Sequence, residues 1–454
     1  MNSKHTLAAV ALALAVSTVS MVFAQSTGAF DQGVAAYNQG NYPQAIDLFG
    51  QALKNNPNDP VIKCWIGTTH LQQGDLEKAE ASLLEALEHK SDYAVAHNNL
   101  SNIYVAQGKL DQGKLHYEQA IELAPDYADA HFNLANLHAE QENWTIAFNE
   151  FNRALEYSPD DYDIHINFGR VLNRAGLIKK AIREYRAAHR SRPSDTQPLL
   201  VLGALHAKRR DYEAAADAFG KAVALDAELI DAQLGLGEAL YQLGRTGQAL
   251  GPLKKARQLA PNSFVAHYNL GLAHAAEGNL EKAESAYRAA LKIDPDHGNC
   301  LNNLGWVLER AGRYDEAIEP LEKAVKRMPN SPLPAVNLAL AYEKVGRDGQ
   351  ALDVWESAAR KFRQSVRAPV GLANAYEQAG RMNDALAQYM KALDVHGDNA
   401  RAHHNAGLIY LEQGNYSEAA SHLRSALKID PDFADAANNL GVALERLNQV
   451  EAAR

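Results

Sequence analysis

One number governs this chain. The prolines Pro57, Pro125, Pro159, Pro193, Pro261, Pro295, Pro329 and Pro431 are separated only by multiples of 34. Alanine keeps the same register from Ala45 through Ala79 and Ala147 to Ala453, with Gly113 the single exception. A second alanine ladder runs unbroken from Ala52 to Ala426. A glycine ladder joins Gly33, Gly67, Gly169, Gly203, Gly237, Gly271, Gly305, Gly407 and Gly441, with Ser101, Ala135, Ala339 and Ala373 in the gaps. Counting Ser26 as position 1, twelve complete 34-residue repeats occupy 26–433, and a thirteenth begins at Ala434. A chain of 454 residues would otherwise suggest two or three globular domains. A strict period of this length instead means stacked supersecondary units, none able to bury its apolar face alone.

Each repeat reads as two helices. The first covers roughly positions 2–14, with apolar and aromatic residues at helical spacing. Position 15 is glycine in ten of the thirteen repeats, the residue suited to a left-handed helix end. The second helix carries alanine at positions 20 and 27 and a large residue at 24, as in Phe49, Tyr117, Phe151 and Trp355. Alanines seven apart share one face and let helices approach closely. Proline at position 32 stops the second helix. Pro252 and Pro320, both at position 23, should each remove one backbone bond and bend their helices slightly. The thirteenth repeat runs out inside what should be its second helix.

The residues Gly at position 8, Ala at 20 and 27 and Pro at 32 resemble the tetratricopeptide (TPR) repeat, and the resemblance spans 26–454. It implies an all-α, right-handed superhelical solenoid of helix-turn-helix repeats. It further implies a concave groove, lined mainly by first helices, that holds peptide segments or partner proteins.

Residues 1–24 differ from everything that follows. A short basic start (Lys4, His5) precedes an apolar run from Leu7, and Val22-Phe23-Ala24 fits a signal-peptidase site with cleavage after Ala24. The expectation is an exported protein of the periplasm or cell surface. The alternative is inner-membrane anchoring by an uncleaved segment, and Ser17, Thr18 and Ser20 argue against it. Two cysteines, Cys64 and Cys300, are too few for a disulfide framework and lie almost seven repeats apart. The sequons at Asn143 and Asn415 would matter only in a eukaryotic secretory pathway.

Catalytic constellations are absent: there is no phosphate loop, no GxSxG, no HExxH and no Cys-x-x-Cys. Gly235 and Gly237 belong to the repeat pattern. The histidines are more numerous. His97, His131, His165, His267 and His403 fall at position 4, and His70, His138, His206 and His274 at position 11. Pairs such as His131/His138 share a helix face, but a metal site would need a third ligand that the sequence does not supply. The expected role of both positions is aromatic packing, with no metal and no cofactor.

Position 6 carries the strongest candidate site: Asn99, Asn133, Asn167, Asn269, Asn303, Asn337, Asn405 and Asn439, interrupted by Val201, Gly235 and Gly371. A side-chain amide both donates and accepts, so such a row can pair with a peptide backbone whatever side chains that peptide bears. A similar row lines the TPR half of O-GlcNAc transferase. The competing reading is that these amides tie neighbouring repeats together. Charge supplies a second candidate. Ten acidic residues and one arginine lie between Glu122 and Asp163, and eleven basic and two acidic between Arg170 and Arg210. The basic block (Arg170, Arg174, Lys179, Lys180, Arg183, Arg186, Lys208, Arg209 and Arg210) either pairs with its acidic neighbours or docks an acidic partner or anionic polymer. A sequence pI of about 5.9 gives no reason to expect nucleic acid.

The expected function is therefore a non-enzymatic protein–protein interaction scaffold of the bacterial cell envelope, binding extended segments or partner proteins in its groove. The alternative is the substrate-recognition arm of a larger enzyme or polysaccharide-export protein whose remaining domain lies outside this chain. A chaperone adaptor that clamps C-terminal carboxylates is disfavoured. Position 5 holds no lysine but Cys64, Asn98, Phe132 and Ile166. An open terminal repeat leaves room for self-association.

Overall fold

The computed structural model describes residues 28–453, so the signal segment expected over 1–24 lies outside the described residues. All 25 elements among the described residues are α-helices, in two compact units, the first reaching Asp226 and the second running from Ala227. The helices alternate as the period requires. Repeat 3, for example, pairs Ala94–Ala106 with Leu110–Leu123, and repeat 8 pairs Phe264–Ala276 with Leu280–Ile293. No described helix is long and apolar enough to cross a membrane.

Glycine at position 15 ends the first helix of each repeat that has it. Ten of these glycines sit at φ between 72° and 79°. There the next residue's N–H reaches back five residues, as Lys109 does to the Tyr104 carbonyl. Repeats 4 and 6 make the same turn without glycine: Glu142 and Arg210 stand at φ 58° and 60°. A side chain in this region costs about 1–2 kcal/mol, part of which glycine returns through its freer unfolded chain. Glu142→Gly and Arg210→Gly should therefore each stabilise their repeat by about 0.5–1 kcal/mol, measured as slower local amide exchange.

Position 31, the residue before proline, is extended. Ala124, Arg192 and Asp294 have φ of −142°, −131° and −126°, a conformation compatible with the following proline and kept by Lys90 and Asp226, both at −145°, where serine or alanine follows. From Ala79 to Ala426 the alanines of both ladders are buried, Ala147, Ala154, Ala283 and Ala290 having no exposed surface. The glycine at position 8 makes room for the large residue at 24. A Cβ on Gly271 would lie 2.4 Å from the Tyr287 ring, and one on Gly203 2.6 Å from Phe219. Repeat 3 exchanges the two small residues, which explains the lone gap in the alanine ladder. Ser101 replaces glycine at position 8 and its hydroxyl donates to the Gly113 carbonyl. A Cβ on Gly113 would meet Val105 at 2.6 Å.

Pro252 and Pro320 sit inside the continuous helices Thr246–Leu259 and Tyr314–Arg327. The last helix departs from the expected pattern. Ala434–Ala453 is one helix of 20 residues, and no turn follows its position 14, where position 15 is Asn448.

In each unit, first helices of successive repeats touch directly. Pro60–Gln72 meets Ala94–Ala106, which meets Ala128–Glu140; in the second unit Gly298–Arg310 meets Leu333–Lys344, which meets Arg367–Gln378. Second helices form no comparable series. Each stack therefore closes toward its first helices, and that side is its concave face.

Candidate protein-binding face

The position-6 asparagines are largely engaged between repeats. Asn133 Nδ2 donates to Asn98 Oδ1 at 3.0 Å, and Asn337 Nδ2 to Asn302 Oδ1 at 3.0 Å. Asn439 Nδ2 meets His404 Nε2 at 3.1 Å, and Asn303 Nδ2 donates to the Tyr268 hydroxyl at 3.3 Å. The partner in all four is position 5 of the preceding repeat. Asn99 donates to Thr68 Oγ1 at 2.8 Å, and Asn405 to the Tyr389 hydroxyl at 2.9 Å. Asn167 is the exception, bonding its own helix at the Asp163 carbonyl while accepting from Arg170. Asn269 is half-buried and makes no side-chain hydrogen bond among the described residues. The row thus links repeats, as the competing reading held, while the Oδ1 atoms of Asn133, Asn337 and Asn439 keep acceptor capacity. Asn98, Asn302, Tyr268 and His404 were not singled out from sequence. The spacing of 35 residues is the signal that could have found them.

Position 9, three residues along from the amides, falls on the same helix face. There Trp306 is 39% and Leu340 42% exposed, and Leu333 at position 2 is 47% exposed. Glu309, Glu343 and Glu377 occupy position 12 of three successive repeats, each half-buried. Burial pushes the Glu309 carboxyl up to about 7. It also raises Glu343 and Glu377, against hydrogen bonds from Trp355 and Tyr389. Apolar surface, amide oxygens and poorly solvated carboxylates therefore alternate along the concave side of the second unit. Both cysteines are buried thiols, pushed up to about 12 by desolvation, so neither is a thiolate at neutral pH.

The gap in the amide row at Gly371 has a steric cause. Trp355, at position 24 of the preceding repeat, leans over it, and a Cβ there would stand 2.4 Å from the indole.

Position 4 does more than pack. The Nε2 of His97, His131, His165, His267 and His403 lies 2.8–3.1 Å from the backbone carbonyl six residues earlier, those of Ser91, Pro125, Pro159, Pro261 and Gly397. Gln233 Nε2 makes the same bond to Ala227. A carbonyl only accepts, so these rings carry their proton on Nε2 and turn Nδ1 toward position 23 of the second helix. Glu150 and Glu184 stand there, a carboxyl oxygen of each 2.6 and 2.8 Å from the ring nitrogen. His116 and His422 stand there in repeats 3 and 12. The same-helix pairing of positions 4 and 11 considered from sequence does not form. The ring partner lies 19 residues on, across the hairpin. No group of three or more His, Cys, Asp or Glu able to hold a metal occurs among the described residues.

The basic block divides. Arg174 bridges to Glu140 at 2.8 Å and Arg192 to Asp163 at 3.3 Å, so the two charge blocks are partly self-complementary. Arg183 pairs with Glu184, Arg170 with Asn167, and Arg186 lies 3.4 Å from His206. Lys179, Lys180, Lys208, Arg209 and Arg210 are exposed, with no ion pair to any described residue. They cluster at the turns between the two helices of repeats 5 and 6, along one edge of the first unit.

Hairpins of two helices, stacked on a shared small-residue register with one amide-lined concave side, define a helical-repeat scaffold for protein–protein interaction. Family profiles described as tetratricopeptide repeat match residues 30–94, 128–161, 200–264 and 263–330, and a TPR-repeat profile matches 101–142, 373–414 and 407–448. The chain belongs to the tetratricopeptide repeat family. No curated protein matches it significantly. Among solved structures it is similar to the APC/C hetero-tetramer Cut9-Hcn1, at 16% identity over 91% of this chain and 95% of that one, with a TM-score of 0.43. It is also similar to pilF of Pseudomonas aeruginosa (26% identity, 46% of this chain and 95% of that one, TM-score 0.41). Yeast Tom70 is a third, at 18% identity over 85% of this chain and 95% of that one, with a TM-score of 0.37.

Proposed function

We propose that the chain is a non-enzymatic scaffold of the bacterial cell envelope that holds extended peptide segments along its first-helix face. The observation that carries this reading is the row of amides whose Nδ2 is spent between repeats and whose Oδ1 accepts no hydrogen bond at Asn133, Asn337 and Asn439 among the described residues. A fixed acceptor meets peptide N–H groups at little ordering cost, and the flanking Trp306 and Leu340 offer apolar contact. The test is to pan a random peptide library over the full chain and measure Kd for the selected peptides. Replacing Asn133, Asn167, Asn303 and Asn337 together by alanine should leave far-ultraviolet dichroism unchanged and weaken Kd by about tenfold, the worth of one or two net hydrogen bonds. Undiminished binding would assign the row to repeat coupling alone.

A second reading rests on Arg210, which occupies a left-handed turn position that ten repeats fill with glycine. Keeping a cation there at a backbone cost, beside the unpaired Lys208 and Arg209, favours an anionic polymer along that edge. The Arg210→Gly chain, more stable by the backbone argument, should bind dextran sulfate less tightly. Equal binding removes the reading.

A further inference from the structure

The position-4 imidazoles form a natural series within one chain, and two of its members stand apart. His97 meets His116 with Nδ1 atoms 2.9 Å apart, and His403 meets His422 with Nδ1 atoms 3.0 Å apart. The two sites are built alike. In each, the position-4 ring is tied through Nε2 to a backbone carbonyl, Ser91 or Gly397. In each, a position-11 tyrosine packs on the second ring, Tyr104 at 5.4 Å from His116 and Tyr410 at 5.5 Å from His422. A histidine whose Nε2–H is held by a carbonyl presents its Nδ1 lone pair as a ligand, with tautomer and ring direction fixed in advance. The other members lack such a pair of donors. In repeats 4 and 5 a carboxyl oxygen of Glu150 or Glu184 takes the place of the second ring, and His267 faces Ala286 at position 23.

We propose that repeats 3 and 12 each hold a two-histidine chelate for a tetragonal divalent ion, Cu2+ or Ni2+, with His97 and His116 the Nδ1 ligands in one and His403 and His422 in the other. Imidazole nitrogen suits Cu2+ and Ni2+, and Nδ1 atoms 2.9 and 3.0 Å apart already lie close to the ~2.9 Å span of two ~2.0–2.1 Å bonds at a right angle, so a small ring rotation brings both to one ion. The metal-free pair is held by one hydrogen bond. His97 and His403 have their proton on Nε2, so the proton between the rings belongs to His116 or His422. On binding, that proton leaves Nδ1 for solvent and Nε2 takes one up, so neutral rings release no net proton. The swing that brings both lone pairs to the ion uses the soft terminal torsion of each ring. Water or a partner's groups fill the remaining positions, since no third His, Cys, Asp or Glu joins either pair.

The test is titration of the full chain, carrying no polyhistidine tag, with Cu2+ at neutral pH, followed by calorimetry and electron paramagnetic resonance. Two ions per chain are expected, with nitrogen coupling in the spectrum. His116→Ala and His422→Ala should each reduce the count to one, and together abolish it, while His267→Gln should leave it at two. The alanine variants reproduce the native His267–Ala286 arrangement, and their metal-free melting curves verify the fold. Absence of stoichiometric uptake would overturn the proposal. So would a count that the two alanine substitutions leave unchanged, which would mark the uptake as adventitious.

Discussion

Trp355→Ala should be among the most damaging single changes in the second unit, costing roughly 3–5 kcal/mol. The indole is 2% exposed and lies within the buried cluster that spans repeats 8 to 12. Its Nε1 donates to Glu343 Oε1 at 2.7 Å, so truncation also leaves that half-buried carboxylate without its donor. The reciprocal change is as informative. Gly371→Asn would fill one gap in the amide row, yet its Cβ would fall 2.4 Å from the Trp355 ring. Overpacking of this kind costs roughly 1–3 kcal/mol. The two sites touch, so Trp355→Phe combined with Gly371→Asn should cost less than the sum of the two. A linear stack need not unfold in one step. Amide exchange in Asp348–Lys361 and Arg367–Gln378 is therefore the proper readout, and additive effects would contradict the steric account.

His165→Leu should cost roughly 3 kcal/mol, because it leaves Glu184, 3% exposed, with only Arg183 as partner. Burial opposes the charge on Glu184, but His165 and Arg183 outweigh it and hold its pKa below the usual 4.5. This stabilisation is complete above 4.5 and is lost as pH falls through the depressed native value. His131 has the opposite sign. Burial lowers its pKa, but Glu150 and the Pro125 carbonyl outweigh that and hold it above 6.5. Its contribution is complete below 6.5 and is lost as pH rises through the raised native value. Repeat 5 should accordingly keep the Glu184 contribution above 4.5, and repeat 4 the His131 contribution below 6.5. The His116 and His422 rings are held below 6.5 by burial and by their histidine partners, so repeats 3 and 12 lose stability as pH falls below that value. Magnetic-resonance titration of the imidazole signals should find His131 above His116 and His422. Coincident midpoints would contradict the assigned partners.

The repeat was legible because every hairpin solves one packing problem with one set of residues. Small side chains at 8, 20 and 27, a large one at 24 and a left-handed turn at 15 leave periodic marks that sequence alone displays. The lateral pairings were not legible. That Asn133 reaches Asn98, or that His131 meets Glu150 rather than His138, depends on how far one helix is offset along its neighbour. Composition and spacing along a single helix do not encode that offset. The interruption at Gly371 was visible, but its cause was not, since Trp355 belongs to the previous repeat. The basic block was visible as a run of charge, but not which of its members are spent: Arg174 is committed to Glu140, and the neighbouring Arg192 to Asp163.

If partners lie along the first helices, photo-crosslinking should find them there. A photoreactive phenylalanine analogue at Trp306 or Leu340, both exposed on first helices, can be compared with the same residue at Leu115 or Ile146, exposed on second helices. In the native host, adducts should form from Trp306 and Leu340 and be lost when Asn303 and Asn337 are alanine. Adducts that form equally from Leu115 and Ile146, or that ignore the asparagines, would contradict that placement.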